Sequence, residues 1–240
     1  MSTSVIQLQD VSKSFGKKEV LRNIHFSVEK GEIFGLLGPS GSGKTTLVKC
    51  IIGMEKATNG KIEVLNTIIP NLPITLKIGF MAQSDALYQD LTAYENVDFF
   101  ASLYGLKGRY KKERIKYVLS LVNLLEDQHK RVSDYSGGMK RRLSLAISLL
   151  HEPEVLILDE PTVGIDPILR QSIWNELEEL RKKGTTIVVT THVMDEAEKC
   201  TKLGMIREGQ LIAIGTPGEL KERIQVRTIE EAFLSYGGAM

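Results

Sequence analysis

The residues best equipped for chemistry form one glycine-rich run, Gly38-Pro39-Ser40-Gly41-Ser42-Gly43-Lys44-Thr45-Thr46. The run follows a short apolar stretch, precedes a segment with helical periodicity, and fits the pattern Gly-x4-Gly-Lys-Ser/Thr. Its glycines let backbone N–H groups converge on phosphate oxygens, and a helix start adds a favourable dipole. Lys44 can reach the β- and γ-phosphates, and the Thr45 hydroxyl can bind Mg²⁺. The run therefore predicts a nucleotide site.

A pair of carboxylates supplies the second candidate feature. Four apolar residues, 155–158, lead directly into Asp159 and Glu160, a pattern typical of a buried strand that delivers its acids to the carboxyl edge of a sheet. Beside a phosphate loop, Asp159 would hold the Mg²⁺ shell and Glu160 would orient or deprotonate a water. The plainer interpretation is an exposed acidic strand end, which the phosphate loop on the same chain makes less favourable.

The elements that must position these residues follow an α/β pattern. The first thirty residues predict β structure, with alternation along Val5–Val11 and again along Val20–Val28. Buried-type strands are predicted at 33–37, 78–81, 155–158 and 185–190, and helices at 93–104, 110–122, 137–150, from Gly43 to Gly53 and from Pro167 to Gly184. A hairpin at 203–214 and two short helices follow. Strands alternating with helices indicate a doubly wound α/β core, into which residues 85–135 insert helices.

Composition excludes several classes of protein. The chain has 240 residues, of which 42% are hydrophobic and 25% charged, and its formal net charge is +1. This balance gives no support to a nucleic-acid binder driven by bulk charge. We find no apolar run of the roughly 20 residues that a membrane span requires, and no secretory signal. Cys50 and Cys200 form neither a metal cluster nor a disulfide framework, so a reducing cytosol is expected.

A third motif, Ser136-Gly137-Gly138, lies 23 residues before Asp159. It resembles the signature motif of the ATP-binding-cassette (ABC) ATPases. The other matching landmarks fall in the family's order along nearly the whole chain: Phe15, the phosphate loop, Gln83 after a strand, Gly164-Ile165-Asp166 in the position of the D-loop, and His192 after a strand. Taken singly, Phe15 could be a core aromatic and Gln83 and His192 ordinary loop residues, but the ordered context favours the family.

The resemblance implies a role for each landmark. Glu160, His192 and Gln83 would be catalytic, and Thr45, Gln83 and Asp159 would bind Mg²⁺. Phe15 would stack on adenine, while the residues from Gly38 to Thr46 would bind the phosphates of ATP. Ser136, Gly137 and Gly138 would act in trans, closing on the ATP held by a second cassette, with Asp166 in the D-loop.

The resemblance also implies a fold and a domain organisation. It implies a P-loop NTPase of the ABC ATPase type, with a RecA-like α/β core, an antiparallel β subdomain and an inserted helical subdomain. The whole chain, 1–240, would be a single ABC ATPase domain. Residues 1–84 and 136–240 would form the core and β subdomains, and residues 85–135 the helical subdomain.

Finally, the resemblance implies partners. The signature reads Tyr135-Ser136-Gly137-Gly138-Met139, with Tyr and Met where Leu and Gln are more usual, and this form is similar to the ABC-2 exporter branch. The expected protein is an ATPase on the cytoplasmic face of the cell membrane that powers a separate permease and binds no nucleic acid. On binding ATP it would form a homodimer or pair with a different cassette. The exported compound would be a drug, antibiotic, lipid or polysaccharide. The alternative is a soluble ABC ATPase that acts on ribosomes or DNA.

Overall fold

The computed structural model describes residues 4–83 and 86–238 of the chain. The strands are β1 (Ser4–Phe15), β2 (Lys18–Glu29), β3 (Ile33–Leu37), β4 (Asn59–Val64), β5 (Thr67–Ile68), β6 (Ile78–Met81), β7 (Val155–Asp159), β8 (Thr186–Thr191), β9 (Lys202–Arg207) and β10 (Gln210–Gly215). The α-helices are α1 (Lys44–Ile51), α2 (Ala93–Leu103), α3 (Gly108–Leu121), α4 (Gly137–Ser148), α5 (Pro167–Lys182), α6 (Met194–Ala197), α7 (Pro217–Glu222) and α8 (Ile229–Tyr236). Short 3₁₀ helices lie at Pro73–Lys77 and Val132–Asp134.

A six-stranded, mostly parallel sheet organises the molecule. Its strand order is β10-β9-β3-β8-β7-β6, and only β10 runs antiparallel to its neighbour. The carboxyl ends of β3, β6, β7 and β8 therefore meet at one edge, which places the phosphate loop, Gln83, the acidic pair and His192 at that edge. The structure thus confirms the predicted strands and explains how residues far apart in the chain come together.

Both faces of this sheet are buried, which accounts for its continuous apolar strands. In β7, Val155 and Ile157 join a core shared with α1 and a second sheet, whereas Leu156 and Leu158 face a core shared with helices α2 to α5. The second sheet is antiparallel, with strand order β2-β1-β4-β5. Because the cores lie on opposite faces, the six-stranded sheet is in contact with both.

The predicted alternation along β1 is wrong at one point. Asp10 adopts a left-handed conformation with φ 51°, and the pairing register with β2 shifts between Leu8 and Val11. This bulge inserts an extra residue, so that Leu8 and Val11, three apart, are both buried. Strict alternation would have put them on opposite faces.

The helix starts follow the expected chemistry. Capping boxes are present at Thr92, Thr216 and Thr228, where each threonine hydroxyl accepts from the backbone three residues on and a glutamate side chain accepts in return.

Within residues 4–83 and 86–238, no helix combines the length and apolarity needed to cross a bilayer.

Candidate functional site

The phosphate loop connects β3 to α1 in a conformation that requires glycine. Gly41 and Gly43 have φ of 78° and 106°, a region that other residues rarely adopt. A Cβ on Gly43 would lie 2.8 Å from Leu21, and one on Gly38 would overlap the carbonyl oxygen of Ile206. The loop is therefore packed closely from behind, and its backbone is directed towards the open edge of the sheet.

The turn between β9 and β10 supports this loop. The Gly209 N–H donates to the Ser42 carbonyl at 3.0 Å, and the Gly209 carbonyl accepts from the Arg22 N–H of β2 at 2.8 Å. Gly209 has φ 77°, and a Cβ there would overlap the carbonyl oxygen of Val20. One hairpin turn thus joins the phosphate loop to the antiparallel sheet.

Lys44 is buried at the centre of the loop. Its ammonium donates to the carbonyls of Gly38 at 2.7 Å and Pro39 at 3.0 Å, and its Nζ lies 3.8 Å from Glu160 Oε1. Burial lowers the pKa of Lys44, and the carboxylates of Glu160 and Asp159 oppose that shift. The side chain shares its site with two acids.

A cavity of about 260 Å³ gathers the predicted residues. It is lined by Val20, Ser40, Gly41, Gly43, Lys44, Thr45, Thr46, Gln83 and Glu160. A neighbouring cavity of about 210 Å³ is lined by Thr45, Lys49, Phe80, Ala82, Gln83 and Asp159. A third, of about 350 Å³, includes Gly38, Pro39, Ser40 and His192. The structure therefore brings the phosphate loop, Gln83, both acids and His192 to one place.

Asp159 has the properties of a cation ligand. It is 1% exposed at the end of β7, and its Oδ1 accepts a hydrogen bond from the Thr190 hydroxyl. Its Oδ2 is buried and has no hydrogen-bond partner among the residues that the structure describes. Because a buried carboxylate oxygen without a partner is costly, a bound cation would satisfy it. Thr45 and Gln83, which line the same cavity, complete an all-oxygen donor set suited to Mg²⁺.

Glu160 has an unusual backbone that directs its carboxylate. Its φ is 53°, and its N–H donates to the carbonyl and to the hydroxyl of Thr190, at 3.1 and 3.0 Å. Glu160 Oε1 lies 3.2 Å from Nδ1 of His192, whose side chain is 45% exposed. Glu160 Oε1 is therefore close both to Nζ of Lys44 and to an accessible imidazole.

The serine and glycines of the signature lie elsewhere. Ser136 caps α4, its hydroxyl accepting from the Met139 N–H at 3.3 Å, and Gly137 is exposed. A Cβ on Gly138 would lie 3.0 Å from the carbonyl oxygen of Gly164, so the signature adjoins the D-loop of the same chain. Within the described part of the chain, none of the three residues lines the cavities at the phosphate loop.

Two predicted residues have local contacts of their own. Asp166 caps α5, with Oδ1 accepting from the Leu169 N–H at 3.0 Å. Phe15 is 48% exposed at the end of β1, and the ammonium of Lys13 lies 4.6 Å from its ring centroid. The exposed ring fits a stacking surface, and adenine stacking by Phe15 stays a prediction.

Three residues that contact the site were missed by sequence reasoning. Thr190 forms hydrogen bonds with both Asp159 and Glu160. Glu196, which is 2% exposed, accepts hydrogen bonds from the hydroxyls of Thr162 and Thr191. Arg141 donates to four backbone carbonyls around the site. The available signals were weak: Thr190 ends an apolar strand, and Arg141 lies in the basic triplet after the signature. Nothing in their spacing indicates these partners.

The phosphate loop on a strand–helix junction, with an acidic strand end beside it, defines a P-loop nucleotide-binding ATPase. Residues 21–163 match the family model described as ABC transporter. The chain belongs to this family and has the ABC ATPase fold, in which a nucleotide-binding cassette hydrolyses ATP to power transport.

Individual relatives agree with this assignment. The linearmycin resistance ATP-binding protein LnrL of Bacillus subtilis is 41% identical over 96% of this chain and 78% of its own length. The Nod factor export ATP-binding protein I of Rhizobium meliloti is also 41% identical, over 98% of this chain and 70% of its own. A dimeric structure of the ATP-binding cassette MJ0796 in a post-hydrolysis state, bound to ADP and Pi, superposes with a TM-score of 0.82. The superposition covers 88% of this chain and 98% of the MJ0796 chain, and the two sequences are 26% identical.

Proposed function

We propose that this chain is the ATPase subunit of an ABC-2 type exporter and acts at the cytoplasmic face of the cell membrane. The observation that carries the catalytic part is the convergence of Lys44, Gln83, Asp159 and Glu160 on adjoining cavities at one sheet edge. The names of its relatives, one a Nod factor export protein and one a linearmycin resistance protein, support export. In this proposal residues 85–135 form a helical subdomain within a single ATPase domain, and the boundary at Ser84 and Asp85 lies outside the described residues.

In this site Thr45, Gln83 and Asp159 would hold Mg²⁺ beside the β- and γ-phosphates of ATP. The unpartnered Oδ2 of Asp159 is the observation that supports a cation there. When bound, Mg²⁺ supplies positive charge that offsets the charge developing on the transferred phosphoryl group. Lys44 adds a second cation on the side of the loop, and the loop N–H groups orient the phosphates.

Glu160 would position the attacking water and accept its proton. Its left-handed backbone and the hydrogen bonds that its N–H donates to Thr190 fix the direction of the side chain before substrate arrives, which lowers the entropic cost of alignment. His192, 3.2 Å from Glu160, would contact the γ-phosphate through its exposed ring. Gln83, at the end of β6, would contact both the metal and the water.

The signature would act on the nucleotide of a second cassette. Its exposed position at the start of α4, outside the described linings of the cavities at its own phosphate loop, supports this arrangement. A helix N-terminus with two glycines offers backbone donors to a phosphate. The MJ0796 cassette is a dimer with ADP and Pi, which gives a precedent in a relative of the same fold. A two-fold dimer of this kind would have two equivalent sites.

An aromatic patch, made of Tyr88, Phe99 and Phe100, would receive the permease. Tyr88 and Phe99 are 49% and 43% exposed, and their ring centroids lie 5.0 Å apart. Phe100 adjoins both rings, at 6.3 and 5.3 Å. Exposed aromatics in contact with one another are typical of protein interfaces. Tyr94, also in α2, is half-buried beside His129, and we propose it as a further contact with the permease.

Size-exclusion chromatography with light scattering on the Glu160→Gln protein tests the cycle. Because the variant keeps the ATP-binding groups but does not activate water, ATP should shift it from monomer to dimer, and Lys44→Ala should prevent the shift. Turnover of Glu160→Gln should fall at least about 100-fold. A Glu160→Gln protein that binds no ATP, or full turnover by Lys44→Ala, would contradict the proposed site.

A further inference from the structure

Arg141 lies in the second turn of α4, five residues after Ser136, and is only 7% exposed. Its Nη1 donates to the carbonyl oxygens of Ala82 at 2.6 Å and Gln83 at 2.8 Å. Its Nη2 donates to the carbonyl oxygens of Asp159 and Glu160, the latter at 2.8 Å. One guanidinium therefore joins three parts of the chain: the helix of the signature, the segment after β6, and the end of β7.

The contacts on the β7 side determine the orientation of the Glu160 side chain. The carbonyls of Asp159 and Glu160 belong to the two peptide planes that flank the Glu160 Cα. Holding both planes fixes φ and ψ of Glu160, and with them the direction of its Cα–Cβ bond. This residue has φ 53°, a conformation that a non-glycine residue keeps only when its surroundings impose it.

The other half of the guanidinium acts on Gln83 in the same way. Nη1 holds the carbonyls of two successive residues, so the peptide plane between Ala82 and Gln83 is fixed, together with the carbonyl of Gln83 itself. Gln83 and Glu160 both line the 260 Å³ cavity. Arg141 thus sets the position of one relative to the other without lining the cavity.

We infer that Arg141 is a positioning residue for hydrolysis, which holds the backbones of Gln83 and Glu160 in their working geometry and ties both to the helix that begins at the signature. The inference rests on the roles proposed above for those two residues. Only a planar group with several fixed donors can reach four carbonyls, so the ammonium of lysine cannot replace it. A displacement of α4 would move the guanidinium, and with it the water-activating and metal-contacting residues.

Arg142 provides a matched control. It is the next residue of the same helix, and its Nη1 also donates to two carbonyls, those of Val122 and Asn123, at 3.0 Å each. Those carbonyls lie just after α3, remote from the phosphate loop in sequence and outside the cavities. The two arginines therefore make the same kind of contact, but only Arg141 touches the backbone of the site.

The test compares Arg141→Lys and Arg141→Gln with Arg142→Lys in the full chain, below the unfolding midpoint of each protein. Each variant is measured for ATP affinity by equilibrium titration, for kcat, and for thermal unfolding. We expect Arg141→Lys to lower kcat by about 10- to 100-fold, because a catalytic group displaced by about 1 Å loses that much. ATP affinity should stay within about 3-fold, since the phosphate loop is untouched. Arg142→Lys should keep both kcat and affinity.

A double variant separates positioning from general destabilisation. In single-turnover assays, Arg141→Lys should reduce the rate less in the Glu160→Gln background than in the wild type. The part of its effect that acts through Glu160 is already lost there, and only the part that acts through Gln83 remains. Equal losses of kcat in the Arg141 and Arg142 variants, or a full multiplicative loss in the double variant, would overturn the inference. Lys44→Ala, measured alongside, distinguishes a failure of the proposed ATPase function from a failure of the positioning role of Arg141. If it loses turnover while Arg141→Lys keeps normal kcat, the proposed function stands and only the positioning role falls.

Discussion

Buried hydrogen bonds hold the individual side chains of this site in place. Thr190 bridges Asp159 and Glu160 with one hydroxyl, and Glu196 collects the hydroxyls of Thr162 and Thr191 in an interior position. Because Thr162 lies two residues after Glu160 and Thr191 directly precedes His192, one carboxylate joins the segments that carry Glu160 and His192. Such contacts depend on a complete set of partners, since a buried polar group left unpaired costs free energy.

We expect Glu196→Gln to lower the free energy of unfolding by about 1–3 kcal/mol, because an amide N–H would replace an acceptor facing a hydroxyl donor. Urea denaturation measures the change. The control is Glu198→Gln, which removes a 2.8 Å ion pair with Lys221 at the surface. It should change the same quantity by less than about 1 kcal/mol. Equal changes in the free energy of unfolding for the two substitutions would show that the buried hydrogen bonds of Glu196 stabilise the fold no more than a surface ion pair does.

At the scale of elements, short strands and helices meet through close backbone contacts. Gly79 in β6 is an example: a Cβ there would overlap the carbonyl oxygen of Ser148 at the end of α4 and lie 2.8 Å from Pro153. Burial on both faces made β6 and β7 recognisable from sequence, and capping boxes located α2, α7 and α8. The bulge at Asp10 and the contacts of Arg141 were not predictable, because they depend on partners from distant segments that no local pattern specifies.

Alanine substitutions at Gly79 in β6 and at Gly218 in α7 should therefore have opposite effects on stability, the first through packing and the second through helix propensity. Gly79→Ala should lower the free energy of unfolding by about 1–3 kcal/mol, since the methyl group is forced against backbone that has little room to move. Gly218→Ala is the matched control, because its nearest neighbour would lie 4.0 Å away and the residue is inside α7. There, alanine should leave stability unchanged or raise it by up to about 1 kcal/mol. Thermal or urea unfolding of both variants decides the sign.

His151 lies between the end of α2 and the start of β6, and its burial predicts that the stability of the fold depends on pH. His151 stacks on Tyr104 at 3.8 Å, and its Nε2 lies 3.2 Å from the carbonyl of Ile78. Burial lowers the pKa of His151 to about 4, and the charge of Arg114 acts in the same direction, against the Ile78 hydrogen bond. The unfolded chain therefore binds a proton between about pH 6.5 and 4 that the folded chain does not.

Stability contributed by neutral His151 should be complete above about pH 6.5 and lost as the pH falls towards 4. His151→Phe keeps a ring for stacking but does not titrate. Its free energy of unfolding should consequently fall less steeply with acidification than that of the wild type. Urea titrations at intervals of half a pH unit give both slopes, and parallel slopes would contradict the pKa assignment.

For the whole molecule, the exposed signature supports a dimer in which each chain would contribute to two different sites. In the proposed dimer, the phosphate loop of one chain faces the Ser136-Gly137-Gly138 of the other. The family motifs allowed this arrangement to be predicted, because their order along the chain is preserved. The permease and the exported compound could not be predicted, since no residue in this chain specifies them by a local pattern.

Mixed dimers test the arrangement directly. In the proposed dimer, a chain with Ser136→Ala paired with a chain with Lys44→Ala places both lesions in one site and leaves the other intact. A random mixture should then recover roughly a quarter of wild-type turnover if the sites are independent. Each variant alone should have lower turnover than the mixture. If signature and loop served the same chain, every site would be damaged and mixing would restore nothing.

The hairpin turn at Gly209 bears on how such a chain could be shortened or recombined. Every motif residue lies between Phe15 and His192, and the family model ends at residue 163, yet the backbone of Ser42 is held from residue 209. A transplanted fragment could thus contain all the recognisable motifs and still lack the support of its own phosphate loop. In protein engineering, the smallest exchangeable unit extends beyond the motifs, at least through β10.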